Sequence, residues 1–185
     1  MATFSFEHVD IKSELLEAFK VELPKFGFAK VKVIKADPQS ASELPCIGIN
    51  RVDDSESSQS MGDFAGSQYD TTTNKNYTVR GTYFQESVEV RVWHTNADER
   101  DKLYRHVKAI LLANRLPLVE KGLLNITLRG GRDEQDSSMQ QAPMVLYWST
   151  ITMSYLNPLD VTFEEVVAPI SAIISNVTTG GNQNG

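Results

Sequence analysis

Apolar and polar positions recur along this chain with two distinct periods. Between Ser87 and His94, Val88, Val90 and Val92 interleave with Glu89, Arg91 and Trp93, the period of two expected of a half-buried strand. From Glu99 to Ala113 the period lengthens. Leu103, Val107, Ile110 and Leu111 fall on one face at helical spacing,. Asn96, three residues before Glu99, predicts a capping-box start, and Asp98 and Glu99 suit the positive end of the helix dipole. Residues 11–22 repeat the helical pattern with Ile11, Leu15, Leu16 and Phe19, and Pro24 and Gly27 stop it,.

The remaining segments read mainly as strands and polar connections. Residues 29–36 mix Lys30, Lys32 and Lys35 with Val31, Val33 and Ile34, which suits an edge strand with a basic face. A turn-rich stretch from Asp37-Pro38 to Pro45 leads into a second strand at 46–52. Residues 53–76 are rich in Ser, Asp, Gln, Thr and Gly, and are expected to form a long polar loop of functional or disordered character. Tyr77–Phe84 reads as a strand continuing toward 87–94, with Gly81 marking a bulge or bend. Asn114–Pro117 ends the central helix, and Gly122–Leu128 reads as a strand. Residues 129–142 form a second expected loop, with Arg129-Gly-Gly-Arg132 as its hairpin tip. Pro143–Leu156 is a long strand, or a strand with a bulge, rich in β-branched and aromatic residues,. Asn157-Pro158 closes the compact part, and the last residues, from Thr179, read as a flexible tail.

This order predicts an α+β fold: a two-layer sandwich of a mostly antiparallel sheet with two main helices on one face. Ile47, Ile49, Val88, Val90, Val92 and alternate residues of 144–156 would supply the buried face. Residues 1–158 are expected to form this domain, with loops 53–76 and 129–142. Residues 159–185 form an extended C-terminal segment that adds strands or packs on a neighbour.

Composition narrows the function classes. With 185 residues, 41% hydrophobic and 23% charged, the chain suits one globular domain. The net charge of −6 argues against a general nucleic-acid binder, although a local basic patch fits within an acidic total. A single cysteine, Cys46, excludes an intrachain disulfide and reads as a small buried hydrophobe. The N-terminus lacks the pattern of a signal peptide, and no apolar run approaches bilayer length, so a cytoplasmic site of synthesis and assembly is expected.

Candidate chemistry is sparse. His8, His94 and His106 do not form a metal set, Asp98, Glu99 and Asp101 are accounted for by capping and the dipole, and Arg129-Gly-Gly-Arg132 lacks the remainder of a phosphate loop,. No nucleophile grouping is identifiable, and no cofactor is expected. Tyr147, Trp148 and Tyr155 are candidate stacking residues, read as core or interface.

Five phrases carry a family resemblance: Leu44-Pro-Cys-Ile-Gly-Ile49, Val88-Glu-Val-Arg-Val-Trp-His94, Thr95-Asn-Ala-Asp-Glu-Arg-Asp-Lys-Leu-Tyr104, Leu128-Arg-Gly-Gly-Arg-Asp133, and Leu146-Tyr-Trp148 through Tyr155-Leu-Asn-Pro158. In their order and setting the chain resembles the tail-terminator and head–tail joining proteins of tailed bacteriophage necks. The resemblance implies a non-enzymatic virion protein, assembled in the bacterial cytoplasm, that closes into a ring of six copies, or of twelve in a collar. Its partners would be further copies of itself, the tail tube or sheath, and the connector next to the portal. DNA would pass through the lumen without sequence-specific binding, and no membrane is involved. Candidate assembly contacts are Arg129, Arg132, Asp133, Asp63, Phe64 and Phe163, because charged and aromatic loop positions govern docking register. A reading from another class is a cytoplasmic small-ligand or peptide-binding module using the open sheet face, with Trp93, Tyr147 and Trp148 as platform.

Overall fold

The computed structural model describes residues 4–57, 64–72, 75–136 and 145–165. In chain order the elements are β1 (Phe4–Glu7), α1 (Ile11–Glu22), β2 (Lys32–Ile34), β3 (Cys46–Glu56), β4 (Phe64–Asp70) and β5 (Lys75–His94), then α2 (Ala97–Ala113), α3 (Arg115–Glu120), β6 (Leu124–Asp136) and β7 (Leu146–Glu165). The strands form a mixed sheet in which β2 runs parallel to β3 and the other described pairings are antiparallel. With its helices this is the expected α+β sandwich.

The chain divides into two compact units. The larger comprises residues 8–60 and 82–159, where the strand order is β6-β7-β5-β3-β2. Its core lies between the sheet and the helices. Ile11, Leu15 and Phe19 of α1 and Leu103, Val107, Ile110 and Leu111 of α2 pack with Ile47, Ile49, Val88, Val90, Val92, Ile151, Met153 and Tyr155. The apolar stripes read from the sequence are therefore the ones buried, at about 1.5–3 kcal/mol per large side chain.

The caps follow the expected logic in part. Asp10 accepts from the Ser13 N–H at the start of α1, at 3.3 Å. The Asn96 side chain accepts from the Glu99 N–H at 3.0 Å. The reciprocal half of the capping box does not form. Glu99 instead pairs with Lys102 at 2.6 Å, and the Asn96 N–H donates to His94 Nδ1 at 3.0 Å.

The smaller unit comprises residues 1–7, 61–81 and 160–185. In it β4 pairs with residues 75–80 of β5, from Asp70↔Lys75 to Phe64↔Arg80. β1 pairs with the end of β7, from Glu7↔Asp160 to Phe4↔Phe163.

Several connections expected as loops are strands. β3 continues to Glu56, and β4 and the first two residues of β5 also fall within 53–76. The polar side chains there gave no apolar alternation to read. Backbone pairing with the long strand β5, Glu56↔Phe84 through Asp53↔Ser87, supplies the hydrogen bonds whatever the side chains are. Residues 129–136 likewise belong to β6, and 137–142 lie outside the described residues. β7 runs through Asn157-Pro158 to Glu165, and the larger unit ends within it, at Leu159. After α2 the chain makes one more short helix, α3. Pro117 sits in its first turn, where a missing N–H has no helical partner to lose. The expected edge strand is real but brief: β2 spans three residues and ends the strand order.

Candidate functional site

The Arg129–Asp133 phrase is a bulge in a strand, not a hairpin tip. Register along β6 and β7 shifts between Gly130 and Asp133, and two glycines make this possible. A Cβ on Gly130 would lie 2.8 Å from the Tyr104 hydroxyl of α2. One on Gly131 would lie 3.1 Å from the Thr150 backbone oxygen. The absent side chains let α2 and β7 close in on β6.

Asp133 is thereby brought to helix α2. One carboxylate oxygen accepts from the Ser149 hydroxyl at 2.6 Å, and the other lies 3.4 Å from the Arg100 guanidinium. Arg100, only 5% exposed, also donates to Asp101 through Nε and Nη2, at 3.0 and 2.5 Å. Burial and the nearby Asp133 charge both hold the Tyr104 phenol above its ordinary pKa. Asp133 is therefore an internal bracket for a nearly buried arginine as well as a surface charge.

The other candidate contacts are scattered. Arg129 is exposed in β6 opposite Thr152, and Arg132 lies within the bulge. Phe64 opens β4 opposite Arg80, Phe163 stands opposite Phe4, and Asp63 lies outside the described residues. Only Asp133 is tied to a polar cluster among the described residues.

A second polar cluster, in the larger unit, escaped the sequence reading. Glu86 is fully buried and accepts from the Tyr155 hydroxyl at 2.7 Å. His8 Nε2 lies 3.3 Å from it, an Arg51 nitrogen 3.8 Å and Asn157 Nδ2 3.5 Å. Burial and the Glu86 carboxylate push the Tyr155 phenol far up. Asn157, also fully buried, donates to the Val9 carbonyl at 3.0 Å and so fastens the chain entering α1. The signal was present in the alternation: Glu86 precedes Val88, Val90 and Val92 on the core-facing parity of β5. Arg100 had the same signature, on the apolar face of α2 with Leu103 and Val107.

The sheet face turned away from the helices carries a smaller apolar cluster. Cys46 and Trp93 are opposite one another, next to the core-facing pair Ile47↔Val92, so alternation places them on the other face. There Cys46, Trp93 and Leu146 pack with Ile34, Leu44 and Trp148. The two indoles stack with centroids 5.2 Å apart, and Arg91 lies 5.5 Å over Trp148. Asp37, which pairs with Arg91 at 2.5 Å and with Asn50 at 2.8 Å, draws the chain after β2 across this face. The expected aromatic platform is not assembled as a unit. Tyr147 falls on the opposite parity from Trp148, and Tyr155 belongs to the core. Burial pushes the Cys46 thiol up to about 12, in keeping with a buried hydrophobe.

Two strand segments are exposed at consecutive positions. Residues 51–56 of β3 are exposed at every position, and so are Ser67, Gln68 and Tyr69 of β4. Val52, at the register shift between Arg51 and Asp53, is 55% exposed, and Tyr69 is 57% exposed.

Among the described residues, no group of three or more His, Cys, Asp or Glu side chains is placed to hold a metal ion. No helix among them is long and apolar enough to cross a membrane. No protein-family model and no curated protein matches this chain.

Proposed function

We propose that this chain is a structural virion protein of a tailed-phage neck. It forms a ring that terminates the tail tube or joins the tail to the head connector, with DNA passing through the lumen. It works by assembly rather than by chemistry, on copies of itself and on tube, sheath or connector proteins, after synthesis in the host cytoplasm. The observation that carries this reading is the exposed end of β3, residues 51–56. A strand that exposes consecutive residues, Val52 among them, invites a covering partner. The two-layer α+β fold agrees with the subunit that the sequence resemblance implies.

The test is light scattering on the eluate of a sizing column over a concentration series. The reading expects a discrete mass near six or twelve times 20.6 kDa, or incorporation into such a ring when purified tube or connector protein is added. A strict monomer that binds neither partner overturns it.

One observation favours the ligand-binding alternative. The Trp93 indole N–H is buried on the open face and has no acceptor among the described residues. Quenching or a shift of tryptophan fluorescence by a small acceptor ligand, abolished by Trp93→Phe, supports that reading.

A further inference from the structure

Both halves of a complementary contact lie along one edge of the larger unit's sheet. The first half is basic. Residues 11–35 carry six lysines against three glutamates, a surplus of three positive charges in a chain whose total is −6. Lys30, Lys32 and Lys35 are exposed around β2, the strand that ends the order and has no outer neighbour among the described residues. Beside β2 is a depression of about 400 Å³ floored by Phe19, Leu23, Phe28 and Val31.

The second half is acidic. β2 pairs with β3 only along Cys46–Gly48. Beyond that, the same edge of β3 has no strand partner among the described residues. There Asp53, Asp54 and Glu56 are all exposed, together with Val52. The edge is stepped: a short lysine-bearing strand stands next to a longer acidic one that it does not cover.

We propose that this edge is a self-docking surface, on which β2 of one copy lies beside the acidic end of β3 in a second copy, and the reverse. A twofold axis satisfies both contacts at once, because each copy offers both halves. Backbone groups on the open edges pair as in strand addition. The charges select the offset register, since β2 set against β2 would oppose lysine to lysine. Val52 supplies the apolar side chain for the depression. The lysines alone would also suit a nucleic-acid backbone, but the apolar floor and the acidic strand on the same edge favour a protein strand. At the other edge, β6 carries two register irregularities and several charges, devices that discourage pairing. The inference goes beyond the ring reading and does not depend on it.

Sedimentation velocity on the full chain, from micromolar to millimolar, tests it. The expected result is a concentration-dependent shift toward twice 20.6 kDa. Lys30→Glu with Lys32→Glu should weaken the dimer at least about tenfold, and Asp53→Lys with Glu56→Lys should do the same. The four substitutions in one chain should restore it, because the charges are then exchanged. If either reversal fails to fold by circular dichroism, Lys30→Gln with Lys32→Gln replaces it and should weaken the dimer to a smaller extent. A monomer at all concentrations overturns the proposal. So does a dimer that these variants leave unmoved, or a lysine reversal that abolishes binding to a DNA duplex without changing the mass. A ring mass that survives in every variant also overturns it and leaves the ring reading intact.

Discussion

A carboxylate shut away from water, as Glu86 is, persists only while its oxygens keep partners. Glu86→Ala leaves the buried Tyr155 hydroxyl without its acceptor and opens a cavity, and should cost about 2–5 kcal/mol. Tyr155→Phe removes one hydrogen bond and should cost about 1–3 kcal/mol. Urea unfolding of the two variants measures both values, and Glu86→Ala should be the worse of the two. His94 gives a pH-dependent counterpart. Burial holds its pKa below the ordinary 6.5, and its Nδ1 must be unprotonated to accept from Asn96. The unfolded chain therefore takes up this proton first as pH falls. The stability His94 contributes is complete above about pH 6.5 and is lost as pH falls through the folded value. Replacing it as His94→Gln should flatten that part of the stability profile, seen as a smaller drop in the urea midpoint between pH 7.5 and pH 5. Cys46 should resist alkylation in the native protein at pH 8 and react after unfolding, because the thiolate is the nucleophile and its pKa is about 12 here,.

Among the elements, the close approaches mark where substitution is least tolerated. Gly48 stands under the chain that crosses the open face, and a Cβ there would lie 2.6 Å from the Ala36 carbonyl oxygen. Gly48→Ala must lift that crossing and loosen Asp37 from Arg91, at about 1–3 kcal/mol by thermal or urea unfolding. The elements also show what could be read from the sequence. Both long helices and the valine strand were legible because a single apolar stripe fixes period and face together. α1 falls on 11–22 as expected, and Asn96 caps α2. The strand extensions were not legible. Residues 53–56 pair with the middle of β5 and 129–136 with the strand that follows them, and no local alternation announces either pairing. The glycine pair at 130–131 fits a turn and a bulge equally well until the neighbouring helix is in place. Glu86 and Arg100 were readable in principle, as charges on apolar faces. Their partners His8, Asn157 and Asp133 could not be found without the fold.

For the whole molecule, the proposed association would couple to folding. Copies that covered one another's exposed β3 would stabilise the folded state by mass action. The thermal midpoint of the wild-type chain should therefore rise with protein concentration, as read by scanning calorimetry at several dilutions. A midpoint independent of concentration would count against both the ring and the dimer.

The pairing of Phe4 with Phe163 has a consequence for how the protein is made. β1 cannot pair until residues 160–163 of β7 have been made. Most of the loop between them is already closed by the larger unit, where Asn157 of β7 holds the Val9 carbonyl. The smaller unit draws on residues 1–7, 61–81 and 160–185, so it cannot be completed before residues near 160 are made. Synthesis at roughly 5–20 residues per second leaves β1 unpaired for many seconds. Copies whose translation has not passed β7 therefore cannot present a paired β1 to one another.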